Sequence, residues 1–131
     1  MQVEGISNES FKVEIFSKLG ISNVVNYYGM IEQTGSVFME CSSGFLHSSM
    51  FSNVIVRDHG NFEPLSDGDW GLIQLQSLLP ISYPGHSILT EDVGMIYPGL
   101  ECVCGRKGKR IAIKGRVPQA EIRGCSDTYG I

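Results

Sequence analysis

Sixteen glycines in 131 residues, spread along the whole chain, leave little room for helix. Glycine costs about 1 kcal/mol in a helix interior, and it supplies the backbone angles that tight turns need. One stretch escapes the pattern. Residues 9–19 place Phe11, Ile15, Phe16 and Leu19 along one face, with Ser10 to cap the start and Gly20 to end it. A helix this short needs a surface to dock on. Elsewhere, short apolar runs alternate with turn residues. Strands are predicted at 24–28, 37–41, 45–47, 54–57, 87–94 and 109–113, with the longest at 70–79. Ser42-Ser43-Gly44, Asp58-His59-Gly60-Asn61 and the Pro80–Gly85 break read as turns and loops. The fold class is therefore β-rich α+β: a distorted barrel or a pair of small sheets, one or two short helices, and a basic β-hairpin toward the C-terminus.

The length fits one domain or one part of a larger one. The net charge of −4 argues against a nucleic-acid partner, which needs a basic face. Charge is nevertheless concentrated. Arg106, Lys107, Lys109, Arg110 and Lys114 are five of the ten Lys and Arg residues, and Arg116 follows closely. Such a run is either a solvated hairpin face or the recognition element for a local anion. The N-terminus is polar and carries no signal peptide, and no apolar run approaches the roughly 18 residues of a membrane span. A cytoplasmic location is expected, where the four cysteines serve as metal ligands or reactive thiols in preference to disulfides.

Cys41 and His47 lie across a turn from each other, and Cys102 and Cys104 bracket one residue. Three thiolates and one imidazole make a common tetrahedral set for structural zinc. Cys-x-Cys is tighter than the usual spacing. On spacing alone, the alternative is a buried strand thiol at Cys41 and a surface His47. A second constellation suits an adenine nucleotide. Tyr28 beside Gly29 offers an aromatic face, Glu32 an acid for Mg²⁺, Asp92 a carboxylate for a ribose diol, and Arg106 a cation for ribose or phosphate. Each piece alone is as well read as a core aromatic or a solvated charge; their order along the chain carries the signal.

That order resembles a known family. Tyr28-Gly29-Met30-Ile31-Glu32, Asp69-Trp70-Gly71, Thr90-Glu91-Asp92, and Gly105-Arg106 through Lys114-Gly115-Arg116 resemble the successive later motifs of the adenylate-forming superfamily. Met39-Glu40-Cys41 with Gly44, His47 and Cys102-Val103-Cys104 is similar to the phenylacetate-CoA ligase branch. Tyr83-Pro84-Gly85-His86-Ser87 and the ending from Gly115 to Asp127 resemble the LuxE-type acyl-protein synthetases, which supply fatty acyl groups to a reductase. The resemblance runs from about Phe11 onward.

The resemblance implies roles for individual positions. Tyr28 and Gly29 would hold adenine and Glu32 the Mg²⁺ of ATP. Asp92 would take the ribose hydroxyls, and Arg106 the ribose or α-phosphate of ATP or AMP. Gly108 and Lys109 would form a hinge, so that 1–108 is the C-terminal β subdomain of the large domain and 109–131 the start of the small one. Cys41, His47, Cys102 and Cys104 would hold structural zinc. Cys125 would accept the acyl group as a thioester, because a thiolate attacks an acyl-adenylate readily.

Three features depart from the family pattern: Ile31 stands where Thr is usual, Gly108 occupies the hinge, and there is no phosphate loop. The chain is therefore expected to be the C-terminal part of a ligase that needs an upstream part to act on fatty acid or acyl-adenylate, with an acyl reductase as a further partner. Exposed strand edges would favour a homodimer. The alternative is a non-catalytic, zinc-stapled β module for protein–protein contact; a thiol redox protein using Cys102 and Cys104 is a weaker third reading.

Overall fold

Every strand pairing is antiparallel, as a chain of short strands joined by tight turns requires. The computed structural model describes residues 6–99 and 101–117. Its strands are β1 (Tyr27–Tyr28), β2 (Phe38–Glu40), β3 (Leu46–His47), β4 (Ser52–Arg57), β5 (Gly71–Ser77), β6 (Ser87–Ile96) and β7 (Arg110–Arg116). They form one seven-stranded sheet in the order β1-β2-β3-β7-β6-β5-β4. The last strand in sequence thus sits inside the sheet. It pairs with β3 through His47 and Arg110, and with β6 through Ile96 and Ile111. A register shift opposite Val93 and Gly94 leaves Lys114 as the extra residue of a bulge in β7, just short of the Asp92–Arg116 pair.

The alternation in β5 turns Ile73 and Leu75 inward, where they meet Val54, Val56, Ile96, Ile111 and Phe38. Phe38 belongs to β2 and Val54 to β4, near opposite ends of the strand order, yet they share one core. The sheet therefore curls around its inner face. Bonds across the curl fix it: Lys109 Nζ donates to Val54 O at 2.6 Å and Ser52 Oγ to Ser36 Oγ at 3.2 Å. The β-rich α+β class holds. In detail it is one curled, open sheet, with no pairing between β1 and β4 among the described residues. The basic hairpin is β6–β7, and β6 rather than the 70–79 segment is the longest strand.

The helix α1 spans Asn8–Leu19. Ser7, not Ser10, is its N-cap, accepting the Ser10 N–H at 3.1 Å; Gly20 closes it in a left-handed turn, as the sequence predicts. None of its residues is buried, and Phe11, Phe16 and Leu19 face solvent. Polar bonds hold it instead. The buried Glu40 carboxylate accepts from Lys12 Nζ at 2.6 Å, Asn26 N–H at 2.8 Å and Asn8 Nδ2 at 2.9 Å. Burial pushes this carboxyl up, but Lys12, the Asn26 N–H and Asn8 outweigh it and hold it below its ordinary 4.5. The predicted strand at 24–28 shortens to Tyr27–Tyr28, because Asn26 spends both backbone groups on Glu40.

The expected domain boundary and hinge at 108–109 falls on the connection from β6, immediately before β7. A Cβ at Gly108 would stand 3.0 Å from Ser48 Oγ, and Lys109 N–H donates to that hydroxyl at 3.1 Å. Residues 110–116 form a strand of the same sheet as the strands before them. No helix among the described residues is long and apolar enough to cross a membrane.

Glu40→Gln is expected to loosen α1 and spare the sheet. Losing a charged hydrogen-bond acceptor costs about 1.5–3 kcal/mol, so α1 amides should exchange about tenfold to a hundredfold faster while β4–β6 stay protected. Because the folded carboxyl titrates below 4.5, its contribution is complete above that pH and is lost as pH falls through the lowered folded value. Hydrogen exchange across that range checks both outcomes.

Candidate metal centre and nucleotide site

Two turns of the same form face each other at one end of β7. In the first, Gly44 N–H donates to Cys41 O at 2.9 Å; in the second, Gly105 N–H donates to Cys102 O at 2.9 Å. Gly44 and Gly105 both have φ of 79°, a conformation that side chains disfavour, which explains a glycine closing each turn. Backbone donors point at sulfur in both: Ser43 N–H at Cys41 Sγ and Arg106 N–H at Cys104 Sγ, each at 3.4 Å. The turns bring Cys41 Sγ to 3.9 Å from Cys102 Sγ and Cys104 Sγ to 3.6 Å from His47 Nε2. All four ligand atoms lie within 4.8 Å of one another.

This donor set fits a tetrahedral ion. Bonds of about 2.3 Å to sulfur and 2.0 Å to nitrogen imply edges of about 3.8 Å between sulfurs and about 3.5 Å between sulfur and nitrogen. Protonation of His47 and Cys41 is consistent with ligation. Burial, then the charges of Arg106 and Arg110, lower the His47 pKa and favour the neutral ring that a metal needs. Burial pushes the Cys41 thiol up, but the Phe45 and Ser43 N–H groups and the neighbouring thiols outweigh it and bring it down to about 7. The Cys104 thiol is raised, by desolvation first and then by its Cys102 and Cys41 neighbours. His47 Nδ1 is buried without a hydrogen-bond partner among the described residues.

The second constellation forms at the other end of β7. Tyr28 Oη donates to Asp92 Oδ2 at 2.7 Å, across 64 positions of sequence. Burial first, then the bond to Asp92 and its charge, raise the Tyr28 pKa and keep the phenol protonated. Thr90 Oγ1, itself bonded to Ile73 O at 2.8 Å, accepts the Asp92 N–H at 3.1 Å and steadies the carboxylate's backbone. Gly29 follows Tyr28 directly, and Glu32 stands exposed on a 3₁₀ turn, Ile31–Gln33.

Arg106 is not part of this group: its guanidinium reaches Met39 O at 3.5 Å, beside the thiols. The cation at Asp92 is Arg116, whose Nε stands 3.7 Å from Oδ1 as its register partner. The chain holds two Gly-Arg pairs, 105–106 and 115–116, and only strand register tells them apart. Sequence reasoning also passed over Gln33. Its buried Nε2 donates to Gly85 O at 2.7 Å and Leu75 O at 3.3 Å, tying the acidic turn to β5 and to the loop before β6. Cys125 lies outside the described residues.

The metal centre has a direct thermodynamic test. Zinc at a thousandfold excess over its dissociation constant should stabilise the chain by about 4 kcal/mol. Cys102→Ser should lose most of that gain, as read by thermal unfolding with zinc and with chelator.

Comparison with known proteins supplies a context. The family model described as acyl-protein synthetase, LuxE, matches residues 1–130. No curated protein matches in sequence. Among solved structures, an ATP-bound RpMatB–BxBclM chimera superposes with a TM-score of 0.54 at 20% identity over 80% of this chain, a likeness of fold. The chain spans 22% of the length of that structure.

Proposed function

The chain belongs to the acyl-protein synthetase (LuxE) family, and on that premise we propose that it is the C-terminal part of an ATP-dependent ligase. That enzyme activates a fatty acid as its acyl-adenylate and passes the acyl group to a cysteine thiol. The observation that carries the reading is the Tyr28–Asp92 hydrogen bond with Arg116 alongside. It unites an aromatic face, a carboxylate and a cation, the three groups that adenine, a ribose diol and a phosphate require.

In this reading the Tyr28 ring lies against adenine, and Gly29 lets the backbone approach it. Asp92 takes the ribose hydroxyls in place of the Tyr28 hydroxyl it now accepts. Arg116 takes the ribose or phosphate role that the resemblance gives to Arg106, and Glu32 faces Mg²⁺. Cys41, His47, Cys102 and Cys104 would hold a zinc ion, which would then serve a structural role. For Cys125 the support is the resemblance. Its thiolate attacks the acyl carbon; the C–S bond forms, the C–O bond to phosphate breaks, and AMP leaves with the electron pair. An upstream part supplies the phosphate loop and the acyl pocket, in keeping with the fraction of the solved structure that the chain spans. A reading as a non-catalytic zinc-stapled module is favoured by one observation only, that the ligand set is complete within this chain.

Titration with AMP followed by NMR tests the nucleotide site. Asp92→Asn and Arg116→Gln should each weaken binding at least about tenfold, the cost of one charged hydrogen bond, while Arg106→Gln stays within about twofold. Loss at Arg106 with none at Arg116 would overturn the assignment. With an acyl-adenylate supplied, Cys125→Ser should abolish acyl labelling.

A further inference from the structure

We infer that Arg110 is the positioning residue of the thiol–imidazole metal centre, clamping together the two segments that carry its ligands. The inference rests on the metal reading of Cys41, His47, Cys102 and Cys104. Arg110 is the register partner of His47 across the β3–β7 ladder, so the two side chains leave the sheet on the same face. On that face its guanidinium lies 5.2 Å from the ring centre of Phe45 and 5.9 Å from that of Tyr97. The two rings meet edge to face at 4.8 Å. Nη2 donates to Pro98 O at 2.6 Å and to Gly99 O at 3.3 Å.

These contacts divide between the ligand segments. Phe45 closes the Cys41 turn, its carbonyl accepting the Cys41 N–H at 2.9 Å. Tyr97, Pro98 and Gly99 begin the connection that leads to Cys102 and Cys104, and Tyr97 N–H is bonded to Arg110 O at 2.8 Å. One side chain thus touches the residue that closes the first turn through a ring, and the start of the connection to the second turn through two carbonyls, from a backbone position paired with His47. A planar group is required: lysine keeps the charge but offers no flat face for two rings. Residues that orient metal ligands typically change metal affinity by about 10- to 100-fold when replaced.

The experiment measures zinc affinity by competition with a chromophoric chelator, together with the ligand-field spectrum of the cobalt-loaded chain. It compares wild type, Arg110→Lys and Lys114→Met. Lys114 lies on the same strand, with its ammonium 6.0 Å from the Trp70 ring, and Lys114→Met controls for a merely structural cation–ring loss in β7. Arg110→Lys should weaken zinc binding by about 10- to 100-fold and alter the cobalt spectrum, with Lys114→Met unchanged in both. Wild-type affinity and spectrum in Arg110→Lys, or equal losses in both variants, would overturn the inference and leave the metal centre standing. Failure of the wild type to bind zinc or cobalt would sink both. If Arg110→Lys does not fold, Phe45→Leu removes one of the clamped rings and carries the same comparison.

Discussion

The insertion of β7 between β3 and β6 is the constraint on which the rest of the structure depends. Without it, β1–β3 and β4–β6 are two separate meanders, neither of which can enclose Phe38, Val54 and Ile73 in one core. Ile111 supplies the buried residue where they join, and Lys109, just before the strand, reaches across to Val54 O. Pairings this distant in sequence bring loop-closure entropy that local contacts do not offset, so a fixed anchor at the strand's start has a clear physical use.

β7 also carries a cation to each of two sites. Arg110 lies at the metal centre and Arg116 at Asp92, the two ends of a seven-residue strand and so about 20 Å apart at about 3.3 Å per residue. That separation would keep an ion at the first site away from a nucleotide at the second. What an ion there would contribute is register. A slip of β7 by one residue would turn Ile111 out of the core and carry Arg116 off Asp92. Ligands on either side of the strand's entry, His47 on β3 and Cys102 and Cys104 on the connection from β6, oppose that slip.

The sequence made the local parts legible. Gly20 ends α1 as read, β5 alternates as its apolar pattern requires, and Cys41, His47, Cys102 and Cys104, the candidate metal ligands, fall together. Tyr28 and Asp92, paired by the order of motifs, do meet. Non-local geometry was beyond reach. Ser7 outcompetes Ser10 as cap through one hydrogen bond, and no local pattern reports that α1 is held by Glu40 rather than by its apolar face. Choosing Arg116 over Arg106 needs the β6–β7 register across a bulge, which spacing does not encode.

The central claim is that Cys41, His47, Cys102 and Cys104 form one metal centre that pins the entry of β7. X-ray absorption on the zinc-loaded chain tests it most directly. The account predicts a single shell of three sulfurs at about 2.3 Å and one nitrogen at about 2.0 Å. A first shell containing oxygen, or with fewer than three sulfurs, would contradict it.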